Sequence, residues 1–559
     1  MKLFTSRSRD AILLPLVLFI CILTVYLNSP VRQTGSDSRL SIHTALAFLR
    51  QGNFNLDVYA SIAATSYQAV KINGHWYPWY PLGTPLLAAP FIFPYAILNP
   101  NALTDVEQYY STAEMIIASI ITAATAVVIY AIARLSLSTP YSLLLTFIFA
   151  FCTSAWSTAS RALWQHGPSM LCLSVALYLI LLAQRRSWLI QFAAIPLAFS
   201  YVVRPTNSIS VAALSVFVLL DYRRYFLRYI LWLAAVLGVF VAISASTYGS
   251  PLPPYYTQRN VWSLTAIPEG LAGILLSPSR GLLMFSPVVL LAGLGAVLAL
   301  RDPTRDRCDR RLHICVVTII VGQVLLVSAF RDWPGGGSLG PRYLSDIIPY
   351  LMFLMIPAIP ALFSLATGLR PSLLLASALI VVSFSIHARG ALNVEVWDWN
   401  ALPSSLSIDD AQLWESRLWD WYDPPFLRGI DSLDRLIPPK LAGLPTEIYM
   451  LKDPADVLDS KVTIPFQDER NREFYVRLIT PPEFSVITDK DGKAQRMNLT
   501  ILAPHDCLPG RHYLGDLQME ATRGEELFAQ REIVSIPVIC YVGPLEHVYA
   551  PLVPHDASP

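Results

Sequence analysis

Residues 229–247 read Tyr-Ile-Leu-Trp-Leu-Ala-Ala-Val-Leu-Gly-Val-Phe-Val-Ala-Ile-Ser-Ala-Ser-Thr, an uncharged run directly behind Arg223, Arg224 and Arg228. A helix rises about 1.5 Å per residue, so about 20 apolar residues cross the hydrocarbon core of a bilayer. A run of this length with basic residues at one end reads as a membrane span. Working outward, similar runs recur near 11–28, 115–133, 140–155, 167–184, 187–203, 205–220, 281–300, 312–330, 347–369 and 371–386, which makes about eleven candidate spans. The composition agrees: 54% of the 559 residues are hydrophobic and 14% are charged, where soluble domains run nearer a quarter charged. The mean hydropathy is +0.46. This is an integral membrane protein, and the expected fold is an α-helical polytopic bundle.

Charge then orients the bundle. With the N-terminus inside, the cytoplasmic loops hold Lys2, Arg7 and Arg9, then Arg134, Arg185 and Arg186, Arg223, Arg224 and Arg228, Arg301 to Arg311, and Arg370. These are bare basic clusters beside span ends, as the positive-inside rule expects. The apolar segment Leu82–Leu98 holds Pro85, Pro90 and Pro94, which disfavour a regular helix interior, and it reads as re-entrant or interfacial. The first span reads as a retained anchor, because its apolar run is too long for a signal peptide and Asn28-Ser29-Pro30 is no cleavage site. The expected location is a bacterial inner membrane.

The module of spans covers residues 1–387, with a first outer loop at 29–81. From 388 to 559 the chain is charged and Pro-punctuated, and short alternating segments predict a β-rich extracytoplasmic domain. Trp397, Trp399, Trp414, Trp419 and Trp421 read as an interfacial aromatic belt leading into it. Cys507 and Cys540 fall in this domain and are candidates for pairing. The formal net charge of +1 excludes a basic nucleic-acid binder, so no nucleic-acid partner is expected. Seven scattered cysteines without a CxxC exclude a zinc ribbon.

The unusual polar residues fall on the outer side. Arg161, Arg204, Arg280 and Arg342 sit at span ends in apolar, glycine-rich surroundings, against the orientation bias of arginine. Charge at membrane depth is costly and faces a cavity or a partner. Four guanidiniums on one cavity would suit a phosphate or pyrophosphate, which Arg grips bidentately. Taken singly, each is better explained by a carboxylate partner or by snorkelling. Arg39 and Tyr343 belong to the same outer loops, and His166, which has no His or Cys companion at ligand spacing, reads as a hydrogen-bonding group rather than a zinc ligand. Asp37 is a candidate general base or a helix N-cap. Asp57 is the second carboxylate of the loop. Asp332 and Asp346 flank Gly335–Gly340 and are assigned to Arg331 or Arg342. That glycine run lacks the GKS/T of a nucleotide loop.

A first span followed by an acid-bearing outer loop, juxtamembrane amphipathic sequence, the stretch Tyr80-Pro81-Leu82-Gly83 and a multi-span bundle resemble the GT-C class of integral membrane glycosyltransferases. The likeness is to its polyprenyl-phosphate-dependent branch, which includes protein O-mannosyltransferases and lipid A aminoarabinose transferases, and it covers about the first 390 residues. It implies inverting transfer of a sugar from a polyprenyl-phosphate donor to an acceptor hydroxyl on a glycan, lipid or protein. The first-loop acid, here Asp37, would be the base and Arg204, Arg280 or Arg342 the phosphate holders. The family often has two adjacent acids, whereas Asp37 stands between Ser36 and Ser38, so Asp57 is the candidate for the second. The resemblance implies no bound cofactor and demands no metal. Two other classes compete: a transporter or flippase of an anionic lipid, for which inverted repeats would speak, and a non-catalytic assembly subunit, whose arginines would share no cavity.

Overall fold

The computed structural model describes residues 3–257, 262–363 and 371–400, the short segments 418–421 and 424–428, and strands between 443 and 551. The chain divides into two compact units, Met1–Val394 and Glu395–Pro559. The first is helical. Among the described residues, five helices are long and apolar enough to cross a membrane: Val106–Arg134, His166–Ala183, Arg223–Tyr248, Arg307–Ser328 and Pro371–Leu392. Around them stand shorter apolar helices, among them Gly83–Leu98 and Thr139–Phe151.

Burial separates the core of the bundle from its rim. The most apolar 18-residue window of Val106–Arg134 is 67% buried, whereas that of Arg223–Tyr248 is 11% buried. The latter leaves Leu227, Leu231 and Val239 at 60–70% exposure. So large an apolar surface is stable only against hydrocarbon, and the chain is a multi-pass membrane protein.

Several stretches expected as single spans are broken at polar residues. The helix Ala194–Val203 stops at Arg204, whose backbone is extended (φ −153°), and the chain restarts through Pro205 into Ser208–Asp221. After Thr139–Phe151 comes a short π-turn, Ala155–Ala159. The stretch 281–300 divides into Leu282–Phe285 and Leu290–Arg301. These breaks deliver polar side chains into the bundle.

The prolines of Leu82–Leu98 do not prevent a helix, since Gly83–Leu98 is helical throughout. Pro85 lies in its first turn, where no intrahelical N–H is needed. Pro90 and Pro94 fall four residues apart on its exposed side. Each deletes one bond of the ladder, a loss that membrane helices tolerate. The buried side, Ala88, Ala89, Ile92 and Ala96, packs with Ile42, Leu46 and Ile121.

The second unit carries two sheets, ordered Gln530–Ile539, His512–Thr522, Thr463–Asp468, Glu473–Arg477 and Val548–Pro551, Gly443–Leu451, Ala494–Leu502, Glu483–Val486, with Val457–Leu458 added beside His512–Thr522. Trp399 is fully buried and so is a packing residue rather than part of a belt, while Trp419 and Trp421 are exposed. Trp414, Cys507 and Cys540 lie outside the described residues.

Candidate functional site

The first helix ends at Leu27, and the chain that follows is pinned from several sides. Gly35 takes a left-handed turn (φ +95°). The Trp164 indole N–H donates to the Ser36 hydroxyl at 3.0 Å, and the Gln68 amide donates to the Ser36 carbonyl at 2.9 Å. The Ser38 hydroxyl donates to Oε2 of the buried Glu114 at 2.8 Å. Asp37 stands between these anchors. It is no helix cap: the following helix, Ser41–Gln51, starts at Leu40 without a side-chain cap.

Instead, Asp37 faces a cavity of about 750 Å³. Its Oδ2 meets Arg342 Nη1 at 2.8 Å, and its Oδ1 accepts from the Tyr67 hydroxyl at 2.8 Å. Burial alone would raise this carboxyl, but the Arg342 guanidinium and hydrogen bonds from Tyr67 and Tyr80 outweigh it and hold Asp37 below its ordinary value. It is kept ionised.

Arg342 is itself placed by the glycine run. Gly335, Gly336 and Gly340 adopt φ of +73°, +60° and +66°, a region costly for residues with a Cβ. Space excludes a Cβ as well, since one on Gly340 would lie 2.8 Å from the Phe285 ring and one on Gly335 3.1 Å from Arg342 Nε. The loop therefore wraps the guanidinium, which lies 5.0 Å from the Trp164 ring centre and 5.2 Å from that of Tyr343. Its buried Nε has no hydrogen-bond partner among the described residues.

A second guanidinium reaches the cavity from the break after Val203. Arg204 donates to Asp346 and to Nδ1 of His166, and its Cζ lies 5.4 Å from the centre of the Tyr343 ring, which Arg342 also approaches. Asp346 and Arg204 are nearly inaccessible, with side chains 2% and 5% exposed. Asn207 ties the break down by donating to Ser169 at 2.7 Å and to the Ser200 carbonyl at 2.9 Å. Gly83, in the Tyr-Pro-x-Gly stretch, lets the Gly83–Leu98 helix start directly against this break: a Cβ there would stand 2.6 Å from Val203 Cα. Asp332 also lines the cavity, and burial lifts its carboxyl above the ordinary range.

Asp37, His166, Arg204, Arg342 and Tyr343 thus line one cavity. Four other candidates do not. Arg161 is fully buried and caps the first helix, donating to the carbonyls of Tyr26, Ser29 and Val31. A helix end leaves orphan carbonyls, and Arg161 serves that of Tyr26 together with two carbonyls just beyond the helix. Arg280 donates to the carbonyls of Pro334 and Gly336 at 2.9 Å and so holds the glycine loop from behind. Arg39 pairs at the surface with Glu107 at 3.0 Å. Asp57 bonds His75 at 2.6 Å and the Trp76 N–H at 2.8 Å, bracing the hairpin of Ala69–Ile72 and His75–Pro78. Asp346, assigned from sequence to Arg331 or Arg342, belongs to Arg204. Tyr80 is visible in the sequence as part of the Tyr-Pro-x-Gly stretch but not as a partner of Asp37; Tyr67 and Glu114 carry no sequence signal, because tyrosines are common near membrane surfaces and Glu114 sits at the edge of an apolar run.

No family model matches the chain, and no curated protein matches it in sequence. Among solved structures it is similar to the following. One is ArnT from Cupriavidus metallidurans bound to undecaprenyl phosphate, at 13% identity over 71% of this chain and 67% of that one, with a TM-score of 0.46. Another is the oligosaccharyltransferase of Archaeoglobus fulgidus tethered to an acceptor peptide containing the NVT sequon, at 12% identity over 76% of this chain and 61% of that one, with a TM-score of 0.44. The third is the oligosaccharyltransferase AglB from Archaeoglobus fulgidus in complex with an inhibitory peptide and a dolichol-phosphate, at 12% identity over 74% and 60% of the two chains, with a TM-score of 0.43. The chain spans about three fifths of the length of these archaeal proteins.

Proposed function

We propose that this chain is an inverting membrane glycosyltransferase that moves a sugar from a polyprenyl-phosphate donor to an acceptor hydroxyl. One observation carries the reading: an ionised carboxylate, Asp37, and two guanidiniums, Arg204 and Arg342, meet in one cavity with aromatic walls. Large, mostly apolar pockets with a few convergent polar groups are the usual form of ligand sites. The guanidiniums of Arg342 and Arg204 suit the oxygens of a lipid phosphate. The acceptor oxygen attacks the anomeric carbon, its proton passes to Asp37, and the bond from that carbon to the phosphate oxygen breaks. The guanidiniums then stabilise the charge left on the departing polyprenyl phosphate. The donor arrives activated, so the reading needs neither nucleotide nor metal.

The placement we infer puts the cavity on the outer face of a bacterial inner membrane. Two helices with an end at the cavity, His166–Ala183 and Arg307–Ser328, have Arg185 and Arg307 at or just beyond their other ends, which supports an inside N-terminus. On this reading the bundle has about eleven crossings and the β-rich unit is extracytoplasmic.

The test is to incubate the purified full chain with a panel of radiolabelled polyprenyl-phosphate sugars and membranes and to locate the label. Transfer by the wild type that is lost in Arg342→Ala is expected. No transfer from any donor, or transfer indifferent to Arg342, would refute the proposal.

A further inference from the structure

Asp37 has one oxygen on Arg342, and the other is occupied by the chain itself. The Tyr67 hydroxyl donates to Oδ1 at 2.8 Å. That is the distance and the hydrogen-bond direction an acceptor hydroxyl must adopt for a general base to take its proton. Tyr80 also bonds Asp37, but it is only partly exposed and packs at 5.3 Å between ring centres against Tyr255. Tyr67 differs. It sits in the turn between the helix Ala60–Ala63 and the strand Ala69–Ile72, and it is 63% exposed. Swinging it outward uncovers little apolar surface.

We propose that the Tyr67 hydroxyl is a resident stand-in for the acceptor, which holds the free oxygen of Asp37 until an acceptor hydroxyl displaces it and so sets the preference for acceptor over water. The inference rests on the function proposed above. A site that binds an activated sugar beside an ionised base hydrolyses it whenever water reaches that base. In that side reaction water attacks the anomeric carbon, its proton goes to Asp37, and polyprenyl phosphate leaves with the bonding electrons. Tyr67 blocks it by filling the position of the attacking oxygen with a group that carries no path to the sugar. Burial and the neighbouring Asp37 raise the phenol well above its ordinary value, so it remains a donor. An acceptor that brings its own hydroxyl and further contacts in the cavity can replace the phenol, whereas a lone water cannot.

The experiment uses the purified full chain with undecaprenyl phosphate carrying tritiated mannose, glucose or galactose, whichever the wild type transfers to membranes. Free sugar released without membranes and sugar transferred with them are both counted, and their ratio does not depend on how much protein is folded. Tyr67→Phe keeps the ring and removes the hydroxyl. It should raise the ratio of free sugar released to sugar transferred about tenfold, the factor that one hydrogen bond to a charged group commands. An unchanged ratio overturns the inference and leaves the transferase reading standing. A parallel fall of release and transfer also overturns it, because Tyr67 would then only be positioning the base. A wild type that transfers none of the three sugars removes both.

Discussion

Replacing Asp37 by Asn separates its chemical role from its structural one. The substitution keeps the shape, and one oxygen still accepts from Tyr67. The amide nitrogen, placed on the side of Oδ2, faces Arg342 Nη1 where a 2.8 Å ion pair stood. Two effects follow, and they differ in size. A general base contributes about 10²–10⁴-fold to rate, so kcat should fall by that factor, or about 3–5 kcal/mol of barrier at 1.36 kcal/mol per tenfold. The lost charge-assisted bond costs about 1–3 kcal/mol of stability, towards the lower end because the Asp37 side chain is 26% exposed. Donor binding should hold or tighten, since Arg342 no longer spends an N–H on a carboxylate. The assay is the initial transfer rate at saturating donor, normalised to folded protein, beside the thermal shift that undecaprenyl phosphate produces. Asn caps a helix about as well as Asp, and no cap exists here, so helix stability predicts no loss. Full activity in Asp37→Asn would refute the role of Asp37 as base. A weakened donor affinity with kcat unchanged would reduce Asp37 to a scaffold for Arg342.

How much of this could be read beforehand turns on what a charge in apolar sequence reveals. Asp37, His166, Arg204 and Arg342 stood out because polar groups at span ends are costly and need a reason. The same signal marked Arg161 and Arg280, yet those two serve backbone carbonyls. A guanidinium has five N–H donors, and sequence does not tell whether phosphate, carboxylate or a helix end will use them. Partners were harder still: Arg204 and Asp346 are 142 residues apart in the chain, and only the packing of the bundle joins them. The prolines of Leu82–Leu98 misled because Pro is read as a breaker, while a helix can lose single bonds on its exposed side. The Tyr-Pro-x-Gly glycine was visible as a motif, but its reason, the close approach to Val203, is tertiary.

Three further outcomes are expected. Gly83→Ala, with its Cβ 2.6 Å from backbone, should cost about 1–3 kcal/mol as overpacking and weaken undecaprenyl phosphate binding by shifting Arg204; Gly238→Ala, with nothing within 4 Å, should do neither in the same thermal-shift series. Asp346→Ala strands a buried guanidinium and should lower stability by about 3–5 kcal/mol, with Arg204→Met/Asp346→Leu recovering most of the unfolding midpoint but not donor binding. The last concerns pH. Arg342 holds the Asp37 carboxyl below its ordinary value, against a burial effect that raises it. A lipid phosphate that takes over Arg342 removes the largest lowering influence and adds a nearby negative charge, so the carboxyl rises in the complex. The base works ionised, and activity is lost as pH falls through its pKa. The acid limb of kcat/KM, which reports the free protein, should therefore lie below the usual carboxylate range of about 4, and the limb of kcat, which reports the complex, should lie above it. Binding the donor would in this way strengthen the base that acts on it, and coincident limbs in the two profiles would show that phosphate leaves the Asp37–Arg342 pair intact.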